Sequence, residues 1–195
     1  VVANQTERDA QYPTPAQGMS VYRTDLGYTQ RYYGLYNAST NPAGRNPAGW
    51  YKEAGMIVQV VSGTTISQVS TSSTTFIDTG LSATITPTST TSKIIVMVTQ
   101  NGLFKGAGNA SNAVWLQLVK NGNVQEVFGY AIGRNTVAQI GYLGGASTIN
   151  VDNPASTSAL TYTTQFRNES STLEVSAQRG NQSRSWITLI EVATA

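Results

Sequence analysis

The 195-residue chain has no cysteine and no histidine, and only 11% of its residues are charged. With no disulfide to staple it, a domain of this size holds together through its core or through neighbouring chains. The two absences also exclude thiolate and imidazole metal sites, the Ser-His-Asp triad and cysteine nucleophiles. Twelve basic against ten acidic residues leave a net charge of +2, with no basic stripe to neutralise phosphates, so no nucleic-acid partner is expected. No run approaches the ~20 apolar residues of a membrane span, so no membrane insertion is expected, and Val1-Val2-Ala3 is too short for a secretory signal. The chain does not begin with Met and is read as a fragment of something longer. Gly106-Ala107-Gly108 and Gly144-Gly145 do not complete a phosphate-binding fingerprint and are read as turn glycines, so no cofactor is expected.

What is abundant is uncharged and polar. Between Ser62 and Ser92, nineteen of thirty-one residues are Ser or Thr, interrupted by Ile66, Val69, Phe76, Ile77, Leu81 and Ile85. Threonine forms strands well, so short strands are expected at 64–70, 74–78 and 83–86. The longest apolar run follows at Lys93–Gln100. Ile94, Val96 and Val98 fall on one face of an extended strand and Ile95 and Met97 on the other, which predicts a central strand with both faces covered. Alternating runs at 113–120, 124–130, 160–167, 173–178 and 186–192 read as the walls around it. Lys120-Asn121-Gly122-Asn123 between two such runs is a hairpin signal. The expected fold is all-β, a sandwich or jelly roll over 56–195, with no helix anywhere in the chain.

Residues 1–55 differ. They hold seven of the ten tyrosines and four of the six prolines, with too little aliphatic content for a core of their own. They read as an extended, aromatic-rich attachment segment, with short extended pieces at 19–24 and 30–35. Rings such as Tyr32, Tyr33, Tyr36 and Trp50 need another surface, and are expected to lose most of their exposure only on oligomerisation.

Arg8-Asp9-Ala10, Tyr12-Pro13-Thr14-Pro15, Gln17-Gly18-Met19, Val21-Tyr22-Arg23-Thr24-Asp25, Arg31-Tyr32-Tyr33-Gly34-Leu35-Tyr36-Asn37 and Ala48-Gly49-Trp50-Tyr51 together resemble a segment recurrent in tail-fibre and other virion appendage proteins of tailed bacteriophages. Downstream, Gln59-Val60-Val61, Asp78-Thr79-Gly80-Leu81, Gln100-Asn101-Gly102 and Thr163-Thr164-Gln165-Phe166 are similar to C-terminal β domains of the same class. The resemblance implies a structural protein on the virion exterior, homotrimeric and joined to other virion proteins. A tail fibre or receptor-binding tip is the first reading. A capsid decoration or head-fibre protein is the alternative, and a polysaccharide-degrading appendage the second alternative. The resemblance brings no catalytic motif.

Candidate contacts lie in loops. Asn101–Asn112 reads as a Gly/Asn-rich loop with Phe104 and Lys105 at its tip; that ring either meets a partner or host glycan or folds back on the sheet. Arg134, Asn135 and the stretch from Arg179 to Arg184 offer further donors. Trp115 and Trp186 read as core or sheet-face rings. Glu126, Glu169 and Glu174 fall on strands or their ends and Asp78 and Asp152 beside turns, with no acid in a loop with the aromatic and amide neighbours of a hydrolytic pair. They read as surface decoration, and no enzymatic activity is expected.

Overall fold

The structure, a computed structural model, describes residues 1–26, 28–34, 48–52, 57–106, 111–134, 141–170 and 173–193. Its elements are α1 (Gln5–Gln11), β1 (Ser20–Arg23), β2 (Tyr28–Tyr33), β3 (Gly49–Lys52), β4 (Ile57–Thr65), β5 (Val69–Thr71), β6 (Ile77–Ile85), β7 (Lys93–Lys105), β8 (Val114–Lys120), β9 (Asn123–Ile132), β10 (Gly141–Asp152), β11 (Leu160–Asn168), β12 (Val175–Ala177), a 3-10 turn at Arg179–Asn181, and β13 (Ser185–Val192). They form two compact units, the first made of Val1–Ile57 together with Ala193 and the second of Val58–Val192.

The first unit is not merely extended. Strands β1, β2 and β3 make a small antiparallel sheet, and α1 corrects the expectation of no helix. Its sequence has no apolar period. It starts because Asn4 caps it, accepting from the Glu7 N–H at 3.0 Å, while Glu7 accepts from the Ala3 N–H at 2.5 Å. The helical residue that is buried is a charged one: Arg8 donates to Gln30 Oε1 at 2.6 Å and pairs with Asp9.

In the second unit two sheets face each other. One runs β4-β13-β7-β12-β5, with β10 also paired to β7; the other runs β6-β11-β8-β9. This is the expected all-β sandwich, and β7 is its central strand, with β10 along one side and β13 and β12 along the other. Period-2 alternation explains the core: Leu81, Ala83 and Ile85 of β6, Ile94, Val96 and Val98 of β7, Leu160 and Tyr162 of β11 and Ile187 and Leu189 of β13 all point between the sheets. A second apolar cluster lies beyond, around Leu103, Val114, Leu116, Phe166 and Val175. The predicted hairpin joins β8 to β9, with Asn121 and Gly122 both at positive φ.

Two expectations about β7 are corrected. Only one of its faces is covered: Met97 is 41% exposed, and Ile149 beside it on β10 is 65% exposed, because a two-layer sandwich leaves each sheet's outer side bare. The strand also does not end at Gln100. Gly102, at φ 63°, bends it without stopping it, and it continues to Lys105, paired with β10 and β12. No helix among the described residues is long and apolar enough to cross a membrane.

Candidate functional site

A cleft of about 440 Å³ opens on the outer side of the larger sheet, where the far half of β7, the start of β10 and the approach to β13 converge. Its floor is backbone. β10 carries irregularities in register between Tyr142 and Gly144 and between Gly144 and Ala146, so that its first residues turn out of the regular pleat. The floor glycines cannot be replaced freely. A Cβ on Gly145 would lie 2.5 Å from Asn101 Oδ1 and 2.7 Å from the Gln100 carbonyl oxygen, and one on Gly102 would lie 2.8 Å from the Arg179 nitrogen.

Two aromatic rings line the cleft, Tyr142 at 78% exposure and Trp186 at 44%. Tyr142 is held by an edge contact with Phe104, ring centroids 5.4 Å apart, and the Arg179 guanidinium lies over the same Phe104 ring at 4.1 Å. The Asn101 amide is aimed by its own hydrogen bond, Nδ2 donating to the Arg184 carbonyl at 2.7 Å. Its Oδ1 makes no hydrogen bond among the described residues. Arg184 sits in the lining with its guanidinium exposed. Among the described residues its side chain donates a 3.3 Å hydrogen bond to Thr64 Oγ1 and forms no ion pair. Leu103 and Ser183 complete the wall, and no carboxylate is among the described lining residues. Exposed rings, one aimed amide and one cation over a backbone floor suit a flat, polar ligand with apolar C–H faces.

No protein family model matches the chain, and no curated protein matches it. Among solved structures, the infectious bursal disease virus VP2 subviral particle is similar over 86% of this chain at 13% identity, with a TM-score of 0.36. This chain spans less than half of that one, since the match covers 44% of it.

The sequence-predicted residues fall differently from expectation. Phe104 and Lys105 are strand residues, 5% and 1% exposed. The loop-tip reading is corrected: both are drawn in by the pairing of β7 with β10 and β12, and Phe104 serves the cleft only from behind Tyr142. Lys105 donates to the Gly133 carbonyl at 3.1 Å, and burial pushes its ammonium below the usual lysine range. Arg134, the residue after Gly133, is paired to Glu169, Nε donating to Oε2 at 2.9 Å. Asn135 lies outside the described residues, as does Tyr36. In the first unit, Trp50 is already enclosed by its own chain: Tyr32 meets it edge-on at 5.5 Å, Tyr12 lies 6.4 Å away and Arg8 sits 5.2 Å above its ring. Tyr32, Tyr33 and Trp50 are half-buried without any partner chain, which corrects the expectation that assembly alone covers them. Sequence reasoning missed Tyr142 and placed Trp186 only as a core or sheet-face ring. The available signal was the pair Gly144-Gly145 just after an aromatic, which marks a bulge inside a strand as readily as a turn.

The acids are not simple decoration either. Glu126 accepts from Thr148 and Asn150, Asp152 from Lys120 and Tyr162, Glu174 from Arg179, and Asp78 from Gln165. Glu191 is fully buried, accepting from Gln59 and from both donors of Thr88. In the hydrogen bonds of the described residues, no two of these carboxylates share a donor.

A second hollow, in the first unit, is lined by Asn4, Glu7, Arg23 and Asp25 among others. Its one arginine is taken up by Asp25 at 2.5 Å, Glu7 accepts from the Ala3 N–H and the Gln11 amide, and no ring is among its described lining residues. The cleft at Trp186 is the stronger site.

Proposed function

We propose that this chain is a non-enzymatic structural protein of a bacteriophage virion, a tail fibre or receptor-binding tip on the particle exterior that contacts the host surface. The observation that carries the reading is the cleft itself: exposed Tyr142 and Trp186 over a glycine floor, with Arg184 and Asn101 beside them and no acid among the described lining residues. Such a site binds and lacks the paired carboxylates that glycoside hydrolysis needs. The sequence resemblance to virion appendages supports the same reading. Incubation with polysaccharide from a susceptible host should release no new reducing ends.

The assembled form we propose is a homotrimer. The outer sheet face around Met97, Ile149 and Val151, 41%, 65% and 56% exposed, supports association: these residues are adjacent across β7 and β10 and carry no charge. The half-buried Tyr32 and Tyr33 offer further ring surface. A flat apolar face would equally seat the chain on a capsid, which is the second reading, a decoration or head-fibre protein. Labelling the protein in intact particles separates the two, and so does competition. A receptor-binding tip, added in purified form, should reduce phage adsorption to host cells; binding to capsids with no effect on adsorption would transfer the assignment to the second reading.

A further inference from the structure

We infer that the cleft at Trp186 recognises an acidic sugar residue, its pyranose ring against the aromatic side chains and its carboxylate on Arg184. This rests on the receptor-binding reading above and narrows it to a ligand class. The charge of Arg184 carries the step. Arg8, Arg23, Arg134 and Arg179 each neutralise a carboxylate of their own chain, on Asp9, Asp25, Glu169 and Glu174 respectively. Arg167 is stacked over the Trp115 ring at 4.0 Å. Arg184 has neither arrangement among the described residues: it donates to a neutral hydroxyl at 3.3 Å, lines the cleft and is exposed. An exposed guanidinium in a site without acids selects an anion, and its planar fork matches a carboxylate in two-point contact.

The rest of the lining decides what bears that anion. Tyr142 and Trp186 offer faces of negative quadrupole, complementary to the C–H face of a sugar ring. Asn101 Oδ1, fixed by the Nδ2 bond to the Arg184 carbonyl, is placed to accept from a hydroxyl. Gly144 has open space where a side chain would stand, which lets a flat ring approach the backbone, while Gly145 lets β10 lie close against Gln100 and Asn101 of β7. A nucleic acid is disfavoured because no second cation is among the described lining residues to take successive phosphates. An acidic peptide would use Arg184 but would leave the ring faces and the glycine floor unmatched.

The test is titration of the purified chain with oligosaccharide fragments of polygalacturonate, alginate, hyaluronan and polysialic acid, each alongside its carboxyl-reduced form, and with hexaglutamate. Thermal melting checks that every variant is folded. At least one acidic oligosaccharide should bind, its carboxyl-reduced form at least tenfold more weakly, and hexaglutamate should not compete. Arg184→Gln should remove that tenfold preference while Trp186→Ala weakens acidic and reduced forms alike. The inference is overturned if acidic and reduced forms bind equally, if Arg184→Gln retains the preference, if hexaglutamate displaces the sugar, or if no member of the panel binds. Adsorption competition by the unmodified chain is read in parallel. Its success alongside any of those failures removes the acidic-sugar assignment and leaves the receptor reading standing, whereas its failure removes the receptor reading itself.

Discussion

The hydroxyl of Thr164 donates to Oε1 of Gln100 at 2.8 Å, joining β11 of one sheet to β7 of the other. Both residues are fully buried, and the bond lies within a polar chain: Thr79 and Thr164 share a 2.5 Å hydroxyl contact, and Gln100 Nε2 reaches Ser185 Oγ at 3.1 Å. Gln178 closes the group, its carboxamide best oriented with the oxygen toward Gln100 and Ser185. Apolar contacts are tolerant of sliding and hydrogen bonds are not, so this chain sets the register of one sheet on the other. Thr164→Val keeps shape and volume but strands two buried partners, and should cost about 1–3 kcal/mol. Urea unfolding checks it: a change within about 0.5 kcal/mol would count against a role for the polar chain in stability.

Leu118 and Met97 are both apolar strand residues in the same unit, one fully buried and the other 41% exposed. Leu118→Ala leaves a cavity between the sheets and should lose about 2–5 kcal/mol. Met97→Ala removes an exposed side chain and should lose less than about 1 kcal/mol in the unassociated chain. Equal losses would contradict the two-layer arrangement.

Glu191 gives the domain an acid-sensitive point. Burial pushes its carboxyl up, but hydrogen bonds from Gln59, Ser92 and Thr88 outweigh that and hold it below its ordinary value of 4.5. A lowered folded pKa means that the stabilisation is complete above the unfolded value and is lost as pH falls through the folded one. Glu191→Gln should therefore melt earlier than the unaltered protein at pH 7, and the gap should narrow below about pH 4 as the native carboxyl takes up its proton. A gap constant from pH 7 to pH 3 would rule this out.

Glycines of similar appearance should respond differently to alanine. Gly122, at φ 82° in the hairpin, has nothing within 4 Å of an added Cβ, so Gly122→Ala pays only the backbone strain of about 1 kcal/mol. Gly102 combines φ 63° with a clash at 2.8 Å against backbone, and Gly102→Ala should cost at least twice as much while distorting the cleft wall. Denaturation midpoints of the two variants, with tryptophan fluorescence as a local report on Trp186, give the comparison.

The homotrimer proposed above should depend on the outer sheet face. Placing lysines at Met97 and Ile149, which are directly paired across β7 and β10, puts like charges side by side in any interface formed there. Light scattering should show the Met97→Lys, Ile149→Lys double variant as a folded monomer, whereas Tyr33→Ala tests the contribution of the first unit's rings. A trimer undiminished by the double variant would place the interface elsewhere.

Much of the sandwich was determined locally. Alternation through Leu81, Ala83 and Ile85, through Leu160 to Phe166 and through Ile187 and Leu189 is a property of neighbouring residues, and a strand with one apolar face has one way to bury it. The Asn121-Gly122 turn is equally local, because few residue types accept two successive positive φ values. The cleft was not legible in this way. Whether Gly102 ends β7 or merely bends it depends on pairing with β10 and β12, some forty and seventy residues further along. Phe104 and Lys105, set among Gly and Asn, read as a loop tip until those partners bury them. Buried polar groups are beyond local reading for the same reason: Glu191 is affordable in the interior because Gln59 and Thr88, more than a hundred residues earlier, bring the donors to it. The outcome at Trp186 was likewise tertiary, since β13 supplies the ring, β10 the glycine floor and β7 the amide. Only long-range strand pairing brings the three together.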